Sequence, residues 1–197
     1  MFIVFEGLDG SGSSTQSRLL AKKLEANKYA VHLTKEPTSD SPIGKMIRNV
    51  LQHKWEASPE GLQLLFCADR ADHLKDEIEP ALKNGQVVIS DRYLLSTIAY
   101  GASEGVDIEW LKALNKPFRQ PTLTFLFKLD PKTCLERIQG RGTEFELFEK
   151  QEKLEKIRTN YESLVGDYDN IQVIDASKTI EEIADEIWAI VEKRLIG

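Results

Sequence analysis

The segment Gly7-Leu8-Asp9-Gly10-Ser11-Gly12-Ser13-Ser14-Thr15 constrains this chain more than any other. It follows a short apolar run, Phe2 to Phe5, and opens into a helical pattern through Leu20 and Leu24. Glycines at this spacing let the backbone wrap until successive N–H groups point inward, making an anion nest capped by a helix N-terminus. The pattern is that of a phosphate loop, GxxxxG[K][ST], with Ser13 standing where the lysine belongs. Ser14 is then placed to offer its hydroxyl to a magnesium ion. A bare GxxxxG is more often a plain turn between strand and helix. The position of this one, straight after an N-terminal apolar strand, favours the phosphate loop.

Three further apolar runs, Val87 to Ser90, Leu123 to Leu129 and Ile171 to Ile174, read as strands, with a weaker one at Ala30 to Thr34. Their scant alternation suits strands buried on both faces of a parallel sheet. Helical patterns lie between them. Ile180, Ile183, Ala184, Ile187, Trp188, Val191 and Leu195 share one face, as do Leu147, Leu154, Ile157, Tyr161 and Leu164. Glu149/Lys153 and Glu152/Lys156 pairs would support the second of these helices. The expected fold is therefore α/β: a parallel five-stranded sheet of the P-loop NTPase type, helices on both faces, within a single domain spanning 1–197. At 197 residues and 41% hydrophobic content, such a domain buries a core without disulfides. A net charge of −6 disfavours nucleic acid as a partner. Cys67 and Cys134 form no CxxC pair. The N-terminus lacks a signal-peptide pattern and no apolar run reaches membrane-spanning length, so a cytoplasmic protein without a membrane partner is expected.

Ligands of such sheets sit beyond the carboxyl ends of the strands, so the polar residues there carry the chemistry. After the third strand come Asp91, Arg92 and Tyr93. A carboxylate beside a phosphate loop suits magnesium, and a planar guanidinium suits a phosphate; taken alone, the pair reads equally as an ion pair at a strand end. Phe66 and Arg70 lie four apart in a helical stretch and share a face, where a ring that stacks and a guanidinium that donates can read a base together. A core phenylalanine with an arginine passing over it to solvent is the plainer alternative.

In order along the chain come FEGLDGSG at 5–12, TKEP at 34–37, LLFCADRADHL at 64–74, VVISDRYLLSTIAY at 87–100, TFLFKLDP at 124–131, ERIQGRG at 136–142 and VIDAS at 173–177. In their order and spacing these resemble thymidylate kinases, the P-loop nucleoside monophosphate kinases of that family, from Phe2 to about Leu195. The resemblance implies transfer of the γ-phosphoryl group of ATP to dTMP with Mg2+, in the supply of dTTP. It implies that Gly7 to Thr15 binds ATP, and that Asp9, Ser14 and Asp91 serve the metal. Phe66 would stack on thymine, Arg70 would donate to its O4 edge and Thr97 would meet N3. Tyr100 would lie against the sugar, Arg92 would bind the acceptor phosphate and Pro37 would shape the wall. The Asp175-Ala176-Ser177 turn would face the adenine. A homodimer formed through helices is implied, with Ile43, Met46, Ile47, Val50 and Leu51 supplying either an interface or core.

The chain departs from the family pattern at Ser13, at Lys35 where relatives often carry arginine, and at Gly101-Ala102-Ser103 after Tyr100. With Gly10 in the loop, the resemblance places catalytic charge in a lid at about 138–148, on Arg137 and Arg141, with Asp9 and Arg92 completing the catalytic set. Two alternatives stand beside this: a P-loop kinase for another nucleoside or monophosphate, and a nucleotide-binding protein impaired in catalysis by the loss of the loop lysine.

Overall fold

The computed structural model describes residues 1–140 and 150–196. Five strands, β1 (Phe2–Gly7), β2 (Val31–Lys35), β3 (Val87–Asp91), β4 (Leu123–Lys128) and β5 (Ile171–Asp175), form one parallel sheet in the order β2-β3-β1-β4-β5. Around it lie α1 (Ser13–Ala26), α2 (Pro42–Leu51), α3 (Pro59–His73), α4 (Glu79–Lys83), α5 (Leu94–Ser103), α6 (Ile108–Asn115), α7 (Pro131–Gln139), α8 (Gln151–Leu164) and α9 (Ile180–Ile196). A single π-helical turn, Leu74–Ile78, joins α3 to α4.

The central strand is buried at every residue, and the Phe5 ring lies 5.3 Å from Phe125 and 5.8 Å from Phe127, centroid to centroid. β1 has β2 and β3 on one side and β4 and β5 on the other, and the chain changes sides between β3 and β4, so β1 stands at a switch point, where a crevice opens at the carboxyl ends. Two expectations need correction. Ile171 to Ile174 reads as a buried strand, yet β5 is an edge strand and Val173 is 45% exposed. Glu152 and Lys156 form no ion pair among the described residues, as water competes for such exposed groups. Lys153 reaches Glu104, 2.8 Å away, beyond the end of α5; Leu147 and Glu149 lie outside the described residues.

Three helices open with a polar cap followed by proline. Ser41 precedes Pro42, Ser58 precedes Pro59, and Asp130 precedes Pro131. Each cap side chain accepts a backbone N–H of the first turn, and proline has no N–H to leave unsatisfied there. The strands also run past the apolar runs read from sequence. β1 extends to Gly7, β2 to Lys35 and β3 to Asp91, so polar residues are delivered to the crevice in fixed register: Phe5 beside Asp91, and Asp91 beside Lys35. No helix among the described residues is long and apolar enough to cross a membrane.

Candidate active site

The loop that leaves β1 turns through Gly10 at φ +83° and Gly12 at φ +99° before α1 begins at Ser13. A Cβ on Gly10 would sit 2.5 Å from the Cys134 carbonyl oxygen, so the loop packs against α7 too closely for any side chain. This close approach explains why no basic residue occupies position 10. From α7, Arg137 Nη1 donates to the Gly10 carbonyl at 3.4 Å, which sets a guanidinium beside the nest. Arg141 lies outside the described residues, as does the rest of the lid beyond Gly140.

Beneath the nest, Ser13 Oγ donates to Asp91 Oδ1 at 3.2 Å and Ser14 Oγ donates to Asp91 Oδ2. The loop and the end of β3 therefore share one carboxylate. The Ser13 side chain faces inward, without any charge where this loop ordinarily carries an ammonium.

Arg92 follows β3 in a left-handed conformation, φ +74°, which costs a residue with a Cβ of order 1–3 kcal/mol. The conformation is held from several directions. Arg92 N donates to Phe5 O at 2.8 Å, and Ser90 Oγ donates to Arg92 O at 2.7 Å. Its guanidinium donates to Gly7 O and Ser96 Oγ, each at 3.0 Å, and to Asp9 Oδ1 at 2.6 Å. Tyr100 donates to the other Asp9 oxygen at 2.9 Å, with its ring under the guanidinium at 5.0 Å. Burial opposes the Arg92 charge, but Asp9 together with Tyr100, Tyr161 and Asp91 outweighs it and keeps the arginine protonated. Burial pushes the Tyr100 hydroxyl well above its ordinary range, so it remains a donor.

Below this unit lies Glu6, which sequence inspection passed over although a glutamate inside an apolar strand was its signal. Glu6 Oε1 accepts from the N–H groups of Tyr93 (3.0 Å) and Ser96 (3.2 Å), fixing the start of α5. Its Oε2 accepts from Tyr161 of α8 at 3.0 Å and from the Ser96 hydroxyl, which Oε2 meets at 2.5 Å. Burial raises the Glu6 carboxyl above its usual range, against the opposing pull of Ser96, Arg92 and Tyr161.

Beside Asp9 and Arg92 opens a cavity of about 220 Å³, lined by Phe66, Arg70, Thr97, Tyr100 and Pro37 among others. Arg70 is 1% exposed, so the arginine passing over Phe66 to solvent is not what forms. Its Nε and Nη2 donate to Glu36 Oε2 at 3.0 and 2.7 Å, Nη2 donates to Thr97 Oγ1 at 2.9 Å, and Nη1 donates to Asn115 Oδ1. These bonds leave a single N–H of Nη1 uncommitted on a guanidinium that lines the cavity. Glu36, joined to Pro37 by a cis peptide bond, also meets His73 Nδ1 through Oε1 at 3.1 Å. The following turn is tied down by Asp69, which accepts the Thr38 N–H at 2.7 Å and the Ser41 hydroxyl at 2.8 Å. Asp69, His73 and Asn115 are further residues that patterning alone did not single out.

On the far side of the nest, Asp175 and Ser177 line a separate hollow with Arg137 and Arg158. Asp175 accepts from Ser177 N at 3.0 Å and Oγ at 2.6 Å, closing the turn. Of the apolar set on α2, Ile47 and Val50 belong to the core, Ile43 and Leu51 are partly buried, and Met46 is 42% exposed.

An anion nest at the switch point, with an open cavity one strand away, can seat two phosphorylated ligands end to end, as a P-loop phosphotransferase does. Comparison with known proteins agrees with that class and narrows it. The family model described as "Thymidylate kinase" matches residues 5–187. A probable thymidylate kinase of Thermococcus onnurineus is 42% identical over 100% of this chain and 99% of its own length. That of Pyrococcus horikoshii is 43% identical over 100% and 98%, and that of Methanocaldococcus jannaschii 43% identical over 95% and 93%. The chain belongs to the thymidylate kinase family.

Proposed function

We propose that the protein transfers the γ-phosphoryl group of ATP to dTMP, giving ADP and dTDP. A phosphate oxygen of dTMP forms the new P–O bond while the bond from γ-phosphorus to the bridging oxygen of ATP breaks. The observation that carries this reading is the Arg92–Asp9–Tyr100 unit, which stands where the phosphate loop meets the cavity containing Phe66 and Arg70. In it, Phe66 stacks on the base, the remaining Arg70 N–H and the Thr97 hydroxyl meet its polar edge, and the Tyr100 ring crowds the sugar. Arg92 orients the acceptor phosphate, and Gly7 to Thr15 holds the donor phosphates. Arg137 and Arg141 bring charge from the lid side, and the Asp175 turn borders the adenine.

Ser14, Asp91 and Asp9 offer only hard oxygen donors, which suits Mg2+. Among the described residues no three or more His, Cys, Asp or Glu side chains gather into a metal cage. Mg2+ beside substrate phosphates needs none, since it keeps its waters. When bound, the ion neutralises charge on the β- and γ-phosphates. For the assembly we propose a homodimer whose interface includes the exposed Met46 of α2, testable by sedimentation.

One observation favours a second reading. The uncharged Ser13 is compatible with a protein that binds ATP and dTMP without turnover. A coupled ADP-release assay across dTMP, dUMP, dCMP, dGMP and thymidine tests both readings. The proposal requires dTMP to be the best acceptor, whereas tight binding of both ligands without dTDP formation would establish the second reading.

A further inference from the structure

A P-loop lysine ordinarily places an ammonium on the β- and γ-phosphates, where negative charge accumulates during transfer. At position 13 this chain has a short hydroxyl directed at Asp91, so the charge must come from elsewhere or be missing. The cations around the cavity are mostly committed. Arg92 is bound to Asp9, Gly7 and Ser96. Arg70 is bound to Glu36, Asn115 and Thr97. Arg48 donates to Thr38 O at 2.6 Å.

Lys35 differs from these. It is the last residue of β2 and pairs in register with Asp91, so both side chains emerge on the same face of the sheet. It lines the acceptor cavity together with Asp9, Asp91 and Arg92, and also the groove on the other side with Asp91 and Ser17. Its ammonium makes no ion pair or hydrogen bond among the described residues. Neighbouring strands lie about 4.8 Å apart, a gap that a four-carbon stem spans. Asp91 thus has the two loop serines on one side and a free ammonium within reach on the other.

We propose that Lys35 is a catalytic residue that substitutes for the missing loop lysine, its ammonium contacting the oxygens of the phosphoryl group in flight from the acceptor side. This role rests on the reading of the protein as a kinase joining ATP to dTMP. It differs from a simple hold on the acceptor phosphate, which would act on dTMP binding and be indifferent to residue 13. A charge supplied from either position should show in kcat and should be interchangeable.

The test is a double-substitution cycle read by initial rates of dTDP formation: wild type, Lys35→Met, Ser13→Lys and the pair. Lys35→Met keeps the stem and removes the charge at an exposed position, and Lys35→Arg serves as the charge-retaining control. We expect Lys35→Met to lower kcat by about 10²-fold, the scale for losing one preorganised donor, with KM for dTMP changing less. Ser13→Lys should restore at least about tenfold of that loss when made in the Lys35→Met background, and Lys35→Arg should keep more activity than Lys35→Met. A change confined to KM for dTMP, or strictly additive effects of the two substitutions, would overturn the role of Lys35 while leaving the kinase reading intact. A wild type that forms no dTDP would overturn the kinase reading and this role with it.

Discussion

Arg92 Nη2 stands 2.6 Å from Asp9 Oδ1, so the residue that follows β3 and the loop that follows β1 act as one charged unit at the mouth of the cavity. Asp9 sets the direction in which Arg92 points. Replacing Asp9 by alanine should lower kcat by about 10²–10³, as expected when a preorganised electrostatic group is lost. The dTMP dissociation constant should change less than about tenfold, because Phe66, Arg70 and Thr97 are untouched. Initial-rate kinetics and a dTMP titration check this, and parallel loss of both quantities would make Asp9 a binding residue.

Arg70→Ala has two consequences. It removes the proposed base-edge donor, and it leaves the buried Glu36 carboxylate with His73 but without its arginine partner. Breaking a buried pair in this way costs about 3–5 kcal/mol of stability. Thermal unfolding should show a large drop in Tm, while well below that temperature ATP binds as before and dTMP binds at least tenfold more weakly, as when a charged hydrogen bond of about 1.5–3 kcal/mol is lost. Unchanged Tm would contradict the central place of the Arg70–Glu36 pair.

Glu6 gives a pH signature. Its folded-state carboxyl titrates above its ordinary value because of burial, so the folded protein holds that proton to higher pH than the unfolded chain. Stability from this group is then fullest at low pH and falls as pH rises from its ordinary value of 4.5 through the raised one. Glu6→Gln lacks this titration. Its Tm relative to wild type should therefore climb as pH rises above 4.5, and a flat difference would contradict the assignment.

Gly10→Ala tests the close approach of loop and helix. A Cβ there meets the Cys134 carbonyl at 2.5 Å on a backbone at φ +83°, and neither the φ nor the carbonyl can yield cheaply. A stability loss of about 1–3 kcal/mol is expected from strain and overpacking. It should be accompanied by reduced turnover, as α7 carries Arg137 away from the nest. Chemical denaturation and initial rates read the two effects.

How far the sequence was legible depended on where the signal lay. The phosphate loop was plain because its glycines meet a backbone requirement that few other residues can satisfy. The central strands stood out because burial on both faces makes them continuously apolar. β2 was faint for the opposite reason: it is an edge strand with no fully buried residue, and its last residue, Lys35, belongs to the crevice. Arg70 illustrates a different limit. Its helical face was readable, but its burial depends on Glu36 and Asn115, which lie 34 and 45 residues away. The same holds for Glu6, whose partner Tyr161 is 155 residues distant. Gly10 was read only as a sign that charge comes from the lid, and the packing of Cys134 adds that space forbids a side chain there.

The central claim is that a P-loop site without its lysine still performs phosphoryl transfer to thymidylate. Its most direct test is 31P NMR of the purified protein with ATP, Mg2+ and dTMP, repeated with dUMP and thymidine as acceptors. The account predicts that ATP is converted to ADP as dTDP resonances appear, fastest with dTMP and absent when Mg2+ is withheld. Persistent ATP and dTMP signals, in a sample that binds both ligands, would contradict it.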